Sequence, residues 1–437
     1  MIKLVRVGIV ISTLAALLAV AVAKDSASTP SDSVLDHAAQ MIEQGRQTFR
    51  YDTFGSEAFW TDTLQLQRAI AGAKNGGVGE GVSPATALAV GLKVDAEKIP
   101  APVAQQIKAG KVDLKDPATT LALLKLDAVV GVKGTFDAGG KLTAVGIRCS
   151  LCHSTVDDSF APGIGRRRDG WPNRDLDVGT IISLAPNLSP VEKLLGVDNA
   201  TLKKVLTSWG PGKFDAEVFL DGKALRPDGK TGAVLIPAAF GLAGVDLATY
   251  VGWGSVTYWN AMVANNEMHG VGRFFDARLA DAKRYPIAAK SGIADVKPTR
   301  DLVTSKLGAL HFYQLALPTP RPPAGSFDAQ ALARGQALFN GAARCAGCHV
   351  PPLYTEPGNN LHTPAEIGID AFQADRGPTG RYRTTPLQGL LTKTKGGYYH
   401  DGRFATLTDV VRHYNGHLKL GLDPKQEADL VTFLKSL

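Results

Sequence analysis

The first hydrophobic segment of the chain is an uncharged run from Val7 to Ala23. It follows the basic residues Lys3 and Arg6 and ends in Ala21-Val22-Ala23. A basic start, an apolar middle and small residues at the end are typical of a secretory signal peptide. We therefore expect residues 1–23 to be a signal peptide and the mature protein to be periplasmic. An uncleaved anchor is the alternative, but the run is short for a membrane span, and no later stretch is apolar enough to form one.

Helical patterns dominate the C-terminal part of the chain. Residues 329–340 predict a helix that Asp328 or Ser326 can cap, and a second helix begins at Asp423 and runs to Leu437. Between them, Thr406 and Asp409 have the spacing of a capping box. The following apolar residues fall at helical spacing and predict one buried stripe, formed by Leu407, Val410, Val411 and Tyr414. The predicted fold is therefore mainly α.

A short internal similarity suggests a repeat. Gly45 and Phe49 have the same spacing as Gly335 and Phe339 in the predicted helix before the second cysteine pair. If the repeat is real, residues 53–143 are an insertion in its first copy; chance is the alternative, because the match is short. The insertion contains two strand-like segments, 129–136 and 141–147, joined by Asp137-Ala138-Gly139-Gly140, which predicts a β-hairpin. Other apolar patterns predict helices over residues 56–71 and 253–266.

Composition adds a domain boundary. Four prolines lie between Pro318 and Pro323, so we expect residues 318–325 to be an extended linker. This divides the mature chain into an N-terminal domain, residues 24–317, and a C-terminal domain, residues 326–437. The formal net charge is +7, but no long basic run or nucleic-acid-binding motif accompanies it. We therefore expect no nucleic-acid partner.

The chain has only four cysteines, in two pairs of identical spacing. They read Cys149-Ser150-Leu151-Cys152-His153 and Cys345-Ala346-Gly347-Cys348-His349. This C-x-x-C-H pattern is the attachment signature of c-type haem: two thiols bind the vinyl groups and the histidine binds the iron. A redox dithiol or a four-thiolate zinc site explains the cysteines but not a histidine after each pair. We therefore predict two covalently bound haem c groups, with His153 and His349 as axial ligands.

The second axial ligand decides between electron transfer and chemistry on a small molecule. Near the second motif, Tyr414 lies on the buried stripe of its helix, whereas His413 points about 100° away from it. Periodicity alone does not separate a ligand from a tyrosine that packs in the core. His413 and His417 remain rivals.

The two C-x-x-C-H motifs, the Tyr399-His400-Asp401-Gly402 segment and the following Ala-Thr-Leu helix resemble the bacterial di-haem cytochrome c peroxidase and MauG superfamily. The resemblance is strong over residues 326–437 and thinner before them. It implies two cytochrome c-type haem domains, the first with the insertion. It also implies that Tyr414 is the axial ligand of the second haem, since the MauG type has Tyr at the matching position.

The same resemblance implies a peroxidase-like oxidoreductase. Electrons from a small redox protein or another donor would enter at the second haem, and peroxide or another small oxidant would react at the first. Near the first haem, Glu267 is then the candidate acid–base and His269, or Met268, the candidate ligand; a helix end without a catalytic role is the simpler explanation for each. Calcium is an expectation from family analogy only.

The wide gap between the haem motifs is atypical of short peroxidases. Three rival functions therefore stay open: a non-catalytic electron carrier, a di-haem oxygenase acting on an organic substrate, and a haem-based sensor.

Overall fold

A computed structural model describes residues 33–437, and this part of the chain is mainly helical, as the sequence predicts. The described residues belong to two units, 33–41 and Ile42–Leu437. In the first unit the described residues, 33–41, are helical. The helices are α1 Ser33–Tyr51, α2 Leu66–Ala71, α3 Pro84–Ala89, α4 Ala101–Lys108, α5 Pro117–Lys125, α6 Ser150–His153, α7 Val178–Ser183, α8 Ser189–Leu195, α9 Asn199–Ser208, α10 Val218–Asp221, α11 Val256–Met262, α12 Pro286–Ser291, α13 Thr304–Ala316, α14 Ala329–Asn340, α15 Pro364–Ile367, α16 Phe372–Arg376, α17 Leu407–His417 and α18 Pro424–Ser436.

Strands within the described residues form two-stranded ribbons only. The parallel pair is β1 with β5, and the other pairs are antiparallel. The strands are β1 Val94–Asp95, β2 Val132–Phe136, β3 Leu142–Ile147, β4 Ser154–Val156, β5 Ile164–Gly165, β6 Arg167–Asp169, β7 Lys213–Phe214, β8 Val234–Leu235, β9 Phe274–Phe275, β10 Asp295–Val296, β11 Leu361–His362 and β12 Tyr382–Arg383.

Strands β2 and β3 form the hairpin that the sequence predicts. At its turn the Asp137 carboxylate accepts a hydrogen bond from the Lys141 amide (2.9 Å), and Gly140 has a positive φ of 81°. Leu142 and Val145 of β3 are buried in the largest hydrophobic core of the protein. Because β3 ends at Ile147, this packing fixes the backbone two residues before Cys149.

Helices α14 and α18 cross closely at Gly335. A Cβ atom at this position would lie 2.2 Å from the Asp429 carbonyl oxygen, so only glycine fits. One turn later, the rings of Phe339 and Phe433 pack with their centroids 5.3 Å apart. The Asp328 side chain caps α14, and Asp423 with Gln426 forms a capping box on α18.

A second crossing has the same construction. At Gly45 in α1, a Cβ would lie 2.0 Å from the Ala309 carbonyl oxygen of α13. One turn later, Phe49 packs on Tyr313 with ring centroids 5.6 Å apart. Each crossing therefore joins a glycine, an aromatic residue four positions later, and an aromatic residue on the partner helix.

Two helical segments have π-helical hydrogen bonding, Ala58–Thr63 and Val263–Glu267. The first corrects the expectation of one continuous helix over residues 56–71, because the chain breaks at Gln65, whose φ is 58°. The second continues α11 to Glu267, close to the end predicted from the sequence. The Trp60 indole donates a hydrogen bond to the Met268 carbonyl (2.9 Å) and so ties the two segments together.

The predicted signal peptide, residues 1–23, lies outside the described residues. Within residues 33–437, no helix combines the length and apolar character needed to cross a membrane. No helix or strand lies between the end of α13 and the start of α14, the region of the predicted linker.

Candidate functional site

The first C-x-x-C-H motif begins at the N-terminus of the short helix α6, just after strand β3. The Nδ1 atom of His153 lies 3.1 Å from the Pro237 carbonyl oxygen. A carbonyl can only accept a hydrogen bond, so this contact assigns the proton to Nδ1 and leaves the lone pair on Nε2. His153 therefore has the tautomer that an axial iron ligand requires.

A cavity of about 390 Å³ adjoins this motif, and Cys149, Cys152 and His153 line it. Its wall is mainly apolar and includes Phe59 and Trp60 from the first π-helical segment. Residues from the C-terminal part of the chain, Thr385 to Lys393, also contribute to it. The size and the apolar lining are typical of a site for a small molecule or cofactor.

Glu267 is a half-buried carboxyl group in the wall of this cavity, at the end of the second π-helical segment. Burial raises its pKa to about 8, and the charge of Glu217 contributes in the same direction. Burial also raises the pKa of the Cys152 thiol to about 12, with the Glu267 charge as a smaller cause, which indicates that the two side chains are neighbours. At neutral pH Glu267 therefore holds a proton close to the haem motif.

His269 also lines the cavity, and the side-chain surface that it exposes faces this space. Its backbone has a positive φ of 57°, and its ring stacks on Phe59 at 3.5 Å between centroids. Met268, the other ligand candidate, also lines the cavity, but it is 3% exposed and belongs to a hydrophobic core cluster with Phe49 and Phe54. The structure thus brings Glu267 and His269 into the cavity wall together with His153.

The second motif follows α14 directly. Cys345–Gly347 forms a 3₁₀ turn, and Cys345 packs against the core cluster that contains Phe339 and Phe433. The Nδ1 atom of His349 lies 3.2 Å from the Tyr354 carbonyl oxygen. As at His153, this hydrogen bond leaves Nε2 with its lone pair.

Tyr414 lies on α17 beside the second motif. The helix begins with the predicted capping box of Thr406 and Asp409. Burial raises the pKa of the Tyr414 hydroxyl, and the nearby Cys348 and Cys345 contribute to the same shift. The Tyr399 ring lies 6.3 Å from the Tyr414 ring between centroids, and its hydroxyl acts as a hydrogen-bonding neighbour that lowers the Tyr414 pKa. The Tyr414 hydroxyl therefore lies in a buried environment that includes the Tyr399 hydroxyl and the cysteine pair.

The two rival histidines on α17 are directed to backbone carbonyls of α15. His413 Nε2 lies 2.9 Å from the Ile367 oxygen, and His417 Nε2 lies 3.2 Å from the Glu366 oxygen. Each Nε2 atom thus carries a proton and donates a hydrogen bond. In His153 and His349, by contrast, the Nε2 atom keeps its lone pair free for iron.

The sequence analysis did not identify three cationic side chains near the cavity: Arg174, Arg383 and Lys393. Nitrogen atoms of both arginines are buried without a hydrogen-bonding partner among the described residues. Arg383 and Lys393 line the cavity. No local pattern marks these residues, because they come from three separate segments that meet only in the folded chain.

A second unforeseen feature is a cluster of buried carboxyl groups around Arg376, which is 1% exposed. Arg376 donates hydrogen bonds to Asp215 (2.8 Å) and Asp221 (2.9 Å). Glu217, which lines the cavity, accepts a hydrogen bond from Gln373 (2.9 Å). One guanidinium therefore faces three carboxyl groups, and burial raises the pKa of Asp215 to about 7.

The four cysteines all lie within residues 33–437, and none of them forms a disulfide there. In that part of the chain, no group of three or more His, Cys, Asp or Glu side chains is arranged to hold a metal ion. The described residues therefore offer no candidate site for the calcium ion expected from family analogy.

No family model matches the chain. The cytochrome-c peroxidase IdrP1 of Denitromonas iodatirespirans is 30% identical over 149 residues, covering 24% of this chain and 39% of the relative. The methylamine utilization protein MauG of Methylorubrum extorquens is 31% identical over 120 residues, covering 24% of this chain and 33% of the relative. The chain thus spans less than half the length of these curated relatives. They confirm its resemblance to the di-haem cytochrome c peroxidase and MauG superfamily.

Solved structures give weaker similarity. A variant of the diheme peroxidase BthA from Burkholderia thailandensis has 16% sequence identity and a TM-score of 0.31, covering 52% of this chain and 78% of that one. At this level the structural similarity carries no argument about the chain.

Proposed function

We propose that the chain is an exported di-haem oxidoreductase of the peroxidase type. One haem c is attached at Cys149 and Cys152, and the other at Cys345 and Cys348. Peroxide reacts in the cavity next to His153, and electrons enter at the second haem from a small redox protein or another donor. The domain division at residues 318–325 and the periplasmic location belong to the same proposal.

The residues at both motifs fit a c-type haem. Each motif histidine has its Nδ1 atom bonded to a backbone carbonyl, so each Nε2 can bind iron. Burial raises the pKa of the Cys149 and Cys345 thiols, which favours neutral thiols over metal thiolates. The names of both curated relatives, a cytochrome-c peroxidase and MauG, agree with haem-dependent redox chemistry.

One observation carries the choice of a peroxidase: the Glu267 carboxyl lies in the same cavity wall as His153 and is protonated at neutral pH. Cleavage of peroxide requires a proton on the oxygen that leaves as water, and the protonated Glu267 carboxyl can donate that proton and then take up the one from the other oxygen. When bound, the haem supplies the electrons and the Lewis-acidic iron. The apolar wall around Phe59 and Trp60 excludes bulk water from the reacting oxygens.

At the second motif, we propose that Tyr414 is the axial partner of His349. Its hydroxyl lies in a buried environment that includes the cysteine pair, whereas His413 and His417 donate hydrogen bonds to backbone carbonyls. A tyrosine ligand favours ferric iron. If His349 and Tyr414 both held the iron, the second motif would leave no position for peroxide, which would then react at the first.

The test is peroxide-dependent oxidation of an electron donor by the purified holoprotein and its Glu267→Gln variant. Loss of the proton donor should lower kcat by about 10²- to 10⁴-fold while the haem absorption spectrum stays that of the wild type. The matched control is Glu80→Gln, an exposed glutamate in the Gly-rich loop, which should keep full activity.

Two outcomes separate the rival functions. A wild-type protein with two low-spin haems and no reaction with peroxide would be an electron carrier. A protein that consumes oxygen with an organic substrate but does not use peroxide would be an oxygenase.

A further inference from the structure

Arg174, Arg383 and Lys393 form a cluster of cationic side chains, which we call the cation cluster. Burial lowers the pKa of Lys393 to about 7, and the charges of Arg174 and Arg383 are the next causes. The three groups are thus close enough to repel one another.

The cation cluster has no counter-charge among the described residues. Its three members take part in none of the ion pairs there, and the oxygens that favour their charged forms are the hydroxyls of Tyr250 and Tyr398. Arg174 is 7% exposed, and its Nε and Nη1 atoms lack hydrogen-bonding partners, as do Nε and Nη2 of Arg383. Buried, unpaired cations are strongly unfavourable, so this arrangement is stable only with an anion bound to it.

The cation cluster lies near both haem motifs. Arg383 and Lys393 line the cavity that also contains Cys149, Cys152 and His153. The segment that carries Lys393 also reaches the second motif: the Lys393 amide donates a hydrogen bond to the Leu390 carbonyl (2.9 Å), and Leu390 belongs to the core cluster against which Cys345 packs. The cluster therefore lies near the segments of both haem motifs.

We propose that the cation cluster is a carboxylate-binding site that holds haem propionates at the boundary between the two haem motifs. This inference rests on the proposed function, because haem brings the carboxylates. Guanidinium groups bind carboxylates through paired hydrogen bonds, and the unpartnered nitrogens of both arginines provide the donors. The positive charge also favours ferrous over ferric iron, so the cluster raises the midpoint potential of the haem that it binds.

The experiment is a redox titration of the purified holoprotein, followed by absorption spectroscopy, for Lys393→Met and its control Lys395→Met. Lys395 is exposed and pairs with Asp175 at the surface. In Lys393→Met, the ratio of ferrous to ferric haem at a fixed applied potential should fall about tenfold, which corresponds to a negative shift of about 59 mV for one electron. Lys395→Met should titrate as the wild type, and Lys393→Arg should restore the wild-type potential.

A second pair of variants keeps the test informative if Lys393→Met does not fold. Arg383→Gln should shift the same haem in the same direction, whereas Arg381→Gln, at an exposed position two residues away, should not. Equal potentials in Arg383→Gln and Arg381→Gln would overturn the proposal, as would equal potentials in the two lysine variants.

Added inorganic phosphate distinguishes propionates from a free anion. If propionates fill the cation cluster, the wild-type potentials stay constant when phosphate is added. Potentials that follow the phosphate concentration would assign the site to a free anion and reject the propionate assignment. The proposed function fails separately, if the purified protein contains no covalently bound haem or does not react with peroxide.

Discussion

At the second haem motif, the proposed choice of Tyr414 as ligand depends on which side chain of α17 has a ligating atom free. The Nε2 atoms of His413 and His417 donate hydrogen bonds to carbonyls of α15. The Tyr414 hydroxyl is close to Cys345 and Cys348, whose proximity adds to the effect of burial on its pKa. Periodicity alone left this choice open, because a stripe of apolar residues serves core packing equally well. The hydrogen bonds that distinguish the residues come from a separate segment.

We predict that Tyr414→Phe changes the absorption and EPR spectra of one of the two haems, because the phenolate oxygen is lost as a ligand. The control is His413→Ala. It should leave both spectra unchanged and lower the free energy of unfolding by about 1 kcal/mol, the contribution of one hydrogen bond. Identical spectra in Tyr414→Phe and wild type would exclude Tyr414 as a ligand and return His413 and His417 as candidates.

At the scale of elements, two helix crossings frame the haem motifs. Gly335 and Phe339 of α14 meet α18 in the same way that Gly45 and Phe49 of α1 meet α13. In each pair the glycine has no side chain, so the two helices can approach closely. This equivalence supports the internal repeat suggested by the sequence, and with it the proposal of two cytochrome c-type domains.

We predict that Gly335→Ala lowers the free energy of unfolding by about 1–3 kcal/mol, because the new Cβ forces the helices apart. Gly416→Ala is the matched control: it is also a helical glycine, but nothing lies within 4 Å of its added Cβ. That variant should be stabilised by about 0.5–1 kcal/mol, since alanine restricts the unfolded chain. Thermal unfolding of both variants measures the difference. Equal stability of the two would mean that the crossing can relax at no cost.

Local signals were predictable because they act within a few residues. The capping box at Thr406–Asp409, the helix start at Asp423 and the hairpin turn at Asp137 lie where the sequence indicates. The carbonyl that orients His153 belongs to Pro237, which lies 84 residues away in the sequence. The cation cluster and the carboxyl groups around Arg376 likewise join distant segments. No single-sequence pattern encodes such contacts, because they depend on packing of the whole chain.

At the scale of the whole molecule, the Arg376 cluster joins segments on both sides of the predicted linker. Arg376 lies in α16, whereas Asp215 and Asp221 lie near α10. The Asp215 Oδ2 and Glu217 Oε2 atoms are buried without hydrogen-bonding partners. Since one guanidinium cannot neutralise three carboxylates, the folded chain retains a proton here near neutral pH.

This retained proton makes the stability of the protein depend on pH. The folded pKa of Asp215 is raised from 3.8 to about 7, mainly by burial. The folded state therefore binds more protons than the unfolded state between these values. The stability contributed by protonated Asp215 is fully present below about pH 4 and is lost as the pH rises towards about 7.

We predict that Asp215→Asn, whose side chain cannot ionise, does not lose this part of its free energy of unfolding as the pH rises. Between pH 5 and pH 8, the wild type should lose about 2 kcal/mol more of its free energy of unfolding than the variant does, given about 1.4 kcal/mol per pH unit. The exposed control Asp228→Asn should follow the wild type. Urea unfolding of the holoproteins at each pH measures the three curves. Parallel curves for Asp215→Asn and wild type would show that Arg376 neutralises Asp215 fully and that the proton resides elsewhere.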